Sequence, residues 1–115
     1  MAIRDNNRAF NLCERLMEST ATTKKDVYKA GLFNESSVRP MFSRKEIHSF
    51  TDVCKIAYIC GFTTIDFGTG PEHEVLSISI ADYLGVSDKK VELLRKRASL
   101  RKELERVEKE INDER

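Results

Sequence analysis

The chain has 115 residues and a formal net charge of +1 from 20 Lys/Arg and 19 Asp/Glu, enough for one domain or one small domain with an extension. That balance excludes a protein drawn to polyanions by global charge, and a core this small is one that oligomerisation often completes. The distribution is uneven: residues 1–48 carry nine basic and six acidic side chains, a net of +3, residues 49–86 a net of −4, and residues 87–115 a net of +2.

Asp5, Asn6 or Asn7 can cap a first helix, in which Phe10, Cys13, Leu16 and Met17 recur on one face. The polar cluster of residues 19–23 ends it. Thr23 with Asp26 three residues on fits a capping box, with the shorter Asp replacing Glu, and opens a second helix that runs to about Ala30. Gly31 fits its left-handed stop, Val27 and Ala30 face inward, and Leu32 and Phe33 seal the turn. A third helix is expected to begin after Ser36 or Ser37, placing Pro40 in the first turn, where a missing N–H costs little. Val38, Met41 and Phe42 form its buried stripe. Ser49 and Asp52 make a second capping box and open a fourth helix through Val53, Ile56, Ala57 and Ile59, closed by Gly61. It is apolar over more than one stripe, as a central core helix would be.

From Phe62 the period changes. Residues 62–67 are β-branched and aromatic and read as a strand, residues 68–74 as a turn or loop, and Val75–Ile80 as a second strand with Leu76, Ile78 and Ile80 on one face. A lone two-stranded hairpin is marginal in water, so its apolar face must cover the helical core or pair with another subunit. Val86-Ser87 then caps a long last helix. Leu93, Leu100 and Val107 repeat every seven residues, with Leu104 and Ile111 between them, an apolar seam of under three heptads weakened by Arg97. A dimerising coiled coil is favoured over a solvated helix held to its own domain by Leu93 and Leu94. The fold class expected is mainly α: a helix-turn-helix domain of about four helices over residues 1–62, a β-hairpin over 63–85, and a C-terminal dimerisation helix over 86–115.

Cys13, Cys54 and Cys60 are odd in number, widely spaced and set among apolar neighbours, which suits a reducing compartment where thiols act as small buried hydrophobes. His48 and His73 do not complete a metal-ligand spacing, so neither metal nor cofactor is expected. No apolar run approaches the ~18 residues of a membrane span. The polar N-terminus, residues 1–7, does not resemble a signal peptide, so a soluble, cytoplasmic protein is expected. No P-loop, H-E-x-x-H or nucleophile elbow is present, and Gly68-Thr-Gly70 is too short for a phosphate loop, so no enzyme is expected.

The order of capped helix, capped helix, glycine turn, short helix and apolar capped helix resembles the lambda-repressor-like (XRE/Cro-type) helix-turn-helix family of bacterial and phage regulators. Thr23, Val27 four positions before Gly31, Leu32, Val38 and the helix Val53–Gly61 carry the likeness, over roughly residues 8–62. Val38 comes one residue later after Gly31 than the family spacing. Pro40 stands where the family has an ordinary helical residue. A longer turn with function intact, or a degenerate motif used for protein contacts, would each accommodate these departures.

The resemblance implies that the N-terminal end of the third helix enters the major groove, making Glu35, Ser36, Ser37 and Arg39 candidates for base edges. Lys24, Lys25, Arg44 and Lys45 would lie near phosphates, and His48 and Ser49 could touch the backbone as well. A second basic patch, Lys89, Lys90, Arg95, Lys96, Arg97, Arg101 and Lys102, overlaps the heptads of the last helix, whose far end from Glu103 to Glu114 is acidic. Electrostatic pairing along an antiparallel or inter-subunit helix contact explains this better than a basic-zipper division of labour. The function expected is a sequence-specific transcriptional regulator, repression being the first expectation, that binds double-stranded DNA as a homodimer on a roughly palindromic operator. Dimerisation would use Leu76, Ile78, Ile80, Leu93, Leu100, Leu104, Val107 and Ile111. The alternative is a protein-interaction module of helix-turn-helix-like fold with a protein partner: a phage-encoded inhibitor of a host system, or an antitoxin.

Overall fold

The computed structural model describes residues 5–114; the first four residues, the start of the polar N-terminus, and Arg115 lie outside them. Asp5 caps α1 (Asn6–Ser19) by accepting from the Arg8 N–H, and Phe10, Cys13 and Met17 are buried along one face. Thr23 caps α2 (Lys24–Lys29) with both bonds of the capping box in place: Asp26 N–H to the Thr23 hydroxyl at 3.2 Å, and Thr23 N–H to the Asp26 carboxylate at 2.7 Å. Gly31, at φ +72°, turns the chain after it. α4 (Phe50–Ile59) opens on Ser49, whose hydroxyl accepts from the Asp52 N–H.

α3 (Glu35–Arg44) corrects the expected start. Asn34 is its N-cap, without a side-chain bond, so the helix begins before Ser36 and Ser37 and Pro40 lies inside it, past the first turn. A proline there has no N–H to return to the Ser36 carbonyl. That gap falls on the exposed side of the helix, while Val38 and Met41 face the core. Lys45, at φ +55°, ends the helix.

The core has two lobes that share α4. Phe10, Cys13, Met17, Val27, Val38, Met41, Ile47, Ile56, Ile59 and Cys60 pack between α1, α2, α3 and one side of α4. On its other side Cys54, Ala57 and Tyr58 meet Ile80, Ala81 and Val91. Burial of this set removes several side chains from water at about 1.5–3 kcal/mol each, the main force holding short helices together. All three cysteines are free and buried, and burial raises each thiol above its ordinary value, Cys13 to about 12.

β1 (Thr64–Thr69) pairs antiparallel with β2 (Val75–Ser79), Ile65 opposite Ile78, with a register shift between Asp66 and Thr69 where Gly68 takes φ +79°. The first strand therefore starts and ends two residues later than expected. Ile80 leaves the strand altogether: it opens a short helix, α5 (Ile80–Leu84), capped by Ser79, and is completely buried. Its alternation with Leu76 and Ile78 continues a strand pattern in sequence, but the residue belongs to the monomer core and is not available for dimerisation.

α6 (Lys89–Asp113) is the long C-terminal helix. Its N-cap is Asp88, one residue beyond Val86-Ser87, while the Ser87 hydroxyl accepts from the Lys89 N–H. The Tyr58 hydroxyl donates to the Ser87 carbonyl at 2.8 Å and fixes the helix start to α4. Among the described residues no helix is long and apolar enough to cross a membrane.

Candidate functional site

The residues expected to meet DNA come from α2, α3 and the segment that follows α3. Lys25, Glu35, Ser36, Ser37, Arg39, Arg44, Lys45 and His48 are all exposed. At helical spacing, Ser36, Arg39 and Ser43 form the stripe opposite the buried Val38 and Met41. Tyr28 of α2 and Glu35, Ser36, Arg39 and Pro40 of α3 line a shallow cleft between the two helices.

Ser37 and Arg44 turn to the other flank of α3. There they line a cleft of about 420 Å³ with Asn34, Glu46, His48, Asp52 and Lys55. Several of its polar groups already have partners: the His48 ring lies 3.2 Å from the Glu46 carboxylate, and Lys55 lies 4.0 Å from Asp52. Lys55, absent from the expected set, also sits over the Phe33 ring at 5.1 Å. Lys24 is exposed but not idle, with its ammonium 5.4 Å from the centroid of Phe42, itself edge-on to Phe10. The end of α3 is tied down, since Asn7 donates to the Lys45 carbonyl at 3.0 Å. The stripe therefore stands on a helix held at both ends, by the turn and by α1.

The second basic patch does not survive as one surface. Arg101 reaches back to Asp26, donating at 2.5 and 3.2 Å, and also to the Ala21 carbonyl at 3.1 Å, while Arg97 lies 3.6 Å from the same carboxylate. Burial alone would push the Asp26 carboxyl up. The Arg101 guanidinium, the two Thr23 bonds and Arg97 outweigh it and hold the carboxyl at about 2. The same bond raises Arg101 above its ordinary value. Asp26 thus serves two structures at once, the start of α2 and the anchor of α6. Its second role carries no local sequence signal, because its partners lie in the last helix.

The dimerisation set divides. Leu76 is exposed on β2, with Val75 beside it and Phe67 on β1; Ile78 is half-buried against Ile65; Ile80 is internal. The hairpin has no Lys or Arg between Thr64 and Ser79. Leu93, Leu100, Leu104, Val107 and Ile111 are all exposed, from 40% to 69%. Leu93 does not pack on the domain; Val91 and Leu94 do.

Among the described residues no three His, Cys, Asp or Glu side chains gather as a metal site needs. No protein-family model, curated protein or solved structure matches the chain.

Proposed function

We propose that the chain is a sequence-specific DNA-binding regulator, a repressor in its simplest form, that acts as a homodimer on a roughly palindromic operator. The observation that carries this reading is the exposed Ser36–Arg39–Ser43 stripe of α3, with Lys25 exposed on α2 and Lys45 exposed at the end of α3, on a two-helix unit with a glycine turn. Its only exposed carboxylate on α3 is Glu35. Arg39 reads a guanine edge, the serines contact neighbouring base edges, and the lysines and Arg44 lie along phosphates. Half-sites about 34 Å apart, one turn of the duplex, match a twofold protein.

A gel-shift with sequence-selected DNA at moderate salt tests it. Arg39→Ala is expected to cost about 1–3 kcal/mol of affinity and to relax choice at one base position. Lys45→Ala is expected to weaken all sequences alike and to lower the salt slope by about one. No specific retardation by folded, dimeric protein would overturn the proposal.

One observation favours a second reading, a helix-turn-helix-like protein-interaction module such as an inhibitor or antitoxin. Glu14, Glu18 and Glu105 line a cleft beside Thr23 and Phe42, so three carboxylates stand at the start of α2, countered in part by Lys24 over Phe42 and by Lys102 paired with Glu105. In that case Arg39→Ala and Lys45→Ala are neutral, and changes to Phe67, Val75 or Leu76 on the hairpin abolish partner capture.

A further inference from the structure

We infer that α6 pairs with α6 of a second copy in the antiparallel sense. The inference rests on the dimeric part of the proposed function and not on DNA binding. Leu93, Leu100, Leu104, Val107 and Ile111 fall within an arc of about 60° on a helix turning 100° per residue. The residues that grip the domain, Val91, Leu94 and Arg101, centre about 120° round from that arc, and Arg97, which also reaches Asp26, stands at the border between the two. One helix therefore presents two separate faces, and docking on its own domain leaves the apolar one open.

Charge selects the occupant and its direction. Residues 89–102 carry seven Lys/Arg and one Glu; residues 103–114 carry six Asp/Glu and two Lys/Arg. Parallel pairing lays like on like at the flanks, Lys96 facing Arg101 and Glu103 facing Glu108, and sets Arg97 against Arg97 in the seam, a clash that Asp26 relieves only in part. Antiparallel pairing crosses the basic half with the acidic half. The seam positions Leu93, Arg97, Leu100, Leu104, Val107 and Ile111 alternate in steps of four and three. Turned about a point between Leu100 and Leu104, they match Leu93 with Ile111, Arg97 with Val107 and Leu100 with Leu104. Lys96 then lies beside Glu110 at both ends, and Arg97 comes to the turn that carries Glu108 and Glu110. Two like pairs remain at the centre, Arg101 with itself and Glu103 with itself. Both are relieved within the chain, Arg101 by Asp26 and Glu103 by an ion pair to Arg106.

The full chain tests this. Wild-type protein is expected to have the mass of a dimer at micromolar concentration; a monomer overturns the pairing. Leu93 and Ile111 are about 27 Å apart along one helix, beyond the ~7 Å that a disulfide spans between Cα atoms. An oxidised mixture of Leu93→Cys and Ile111→Cys chains should therefore give a covalent dimer. Ile111→Cys alone should not, and the wild type, whose thiols are buried, serves as the control. Self-cross-linking of Ile111→Cys overturns the orientation. Lys96→Glu gives a second reading of sign: it weakens an antiparallel dimer severalfold, with rescue by Glu110→Lys, and tightens a parallel one. A failed gel-shift with these results intact would remove the regulator reading and leave the pairing.

Discussion

The two faces of α6 are built in opposite ways. The face turned to the helical domain holds by charge as much as by packing, through Val91, Leu94 and the Arg97–Asp26–Arg101 cluster. The face turned to solvent is a line of leucine, valine and isoleucine. A surface helix that closes a core ordinarily does the reverse. The outer apolar stripe therefore does not anchor α6 to its domain; Val91, Leu94 and a buried carboxylate placed by a capping box do. An apolar arc exposed on a helix with an independent anchor is free to serve a partner.

The inner anchor of α6 is broken most directly at Asp26. Asp26→Ala removes half of a capping box and leaves two guanidinium groups without their buried partner. A loss of about 1–3 kcal/mol is expected by denaturant unfolding, from the lost cap and from charge-assisted hydrogen bonds taken from two partly exposed guanidinium groups. A loss below ~1 kcal/mol would mean that Val91 and Leu94 alone hold the helix.

Acid probes the same anchor without mutation. The folded carboxyl titrates near 2, below its value of about 4 in the unfolded chain, so its stabilisation is complete above pH 4 and disappears as pH falls through 2. About 2 kcal/mol of stability should vanish across that window in the wild type and be missing from the pH profile of Asp26→Asn.

Gly61 tests how closely α6 approaches. Its φ is +92°, and a Cβ there would stand 2.9–3.0 Å from Arg95 Cγ, Cα and N, two of them backbone atoms of α6. Gly61→Ala is expected to cost about 1–2 kcal/mol in thermal or denaturant unfolding and to expose Val91 to solvent.

The smallest effect on the fold is expected on the outer face. Leu104→Arg should change the stability of the isolated monomer by no more than about 0.5 kcal/mol, since the side chain is exposed and belongs to neither core cluster. It should nonetheless shift the solution mass from dimer to monomer. A large loss of monomer stability would mean that the outer stripe packs on its own domain.

Much of the helical unit was legible because its signals are local. The Thr23–Asp26 box, the stop at Gly31 and the apolar run of α4 need only a few neighbouring residues to be read. Where local signals compete, spacing alone does not place the element. Ser36 and Ser37 resemble caps, but Asn34 caps α3 without a side-chain bond, and Pro40 was displaced into the helix as a result. Ile80 continues a strand alternation, yet Ser79 caps a helix there and Ile80 enters the core between α4 and α6.

By itself the sequence determined the capped helices, the hairpin and the heptad stripe, since each follows from spacing and capping over a few residues. Only the tertiary structure decided which face of the last helix is turned inward. That choice depends on a carboxylate in α2 meeting arginines 71 and 75 residues away, a pairing set by how the helices pack and not by any pattern within α6.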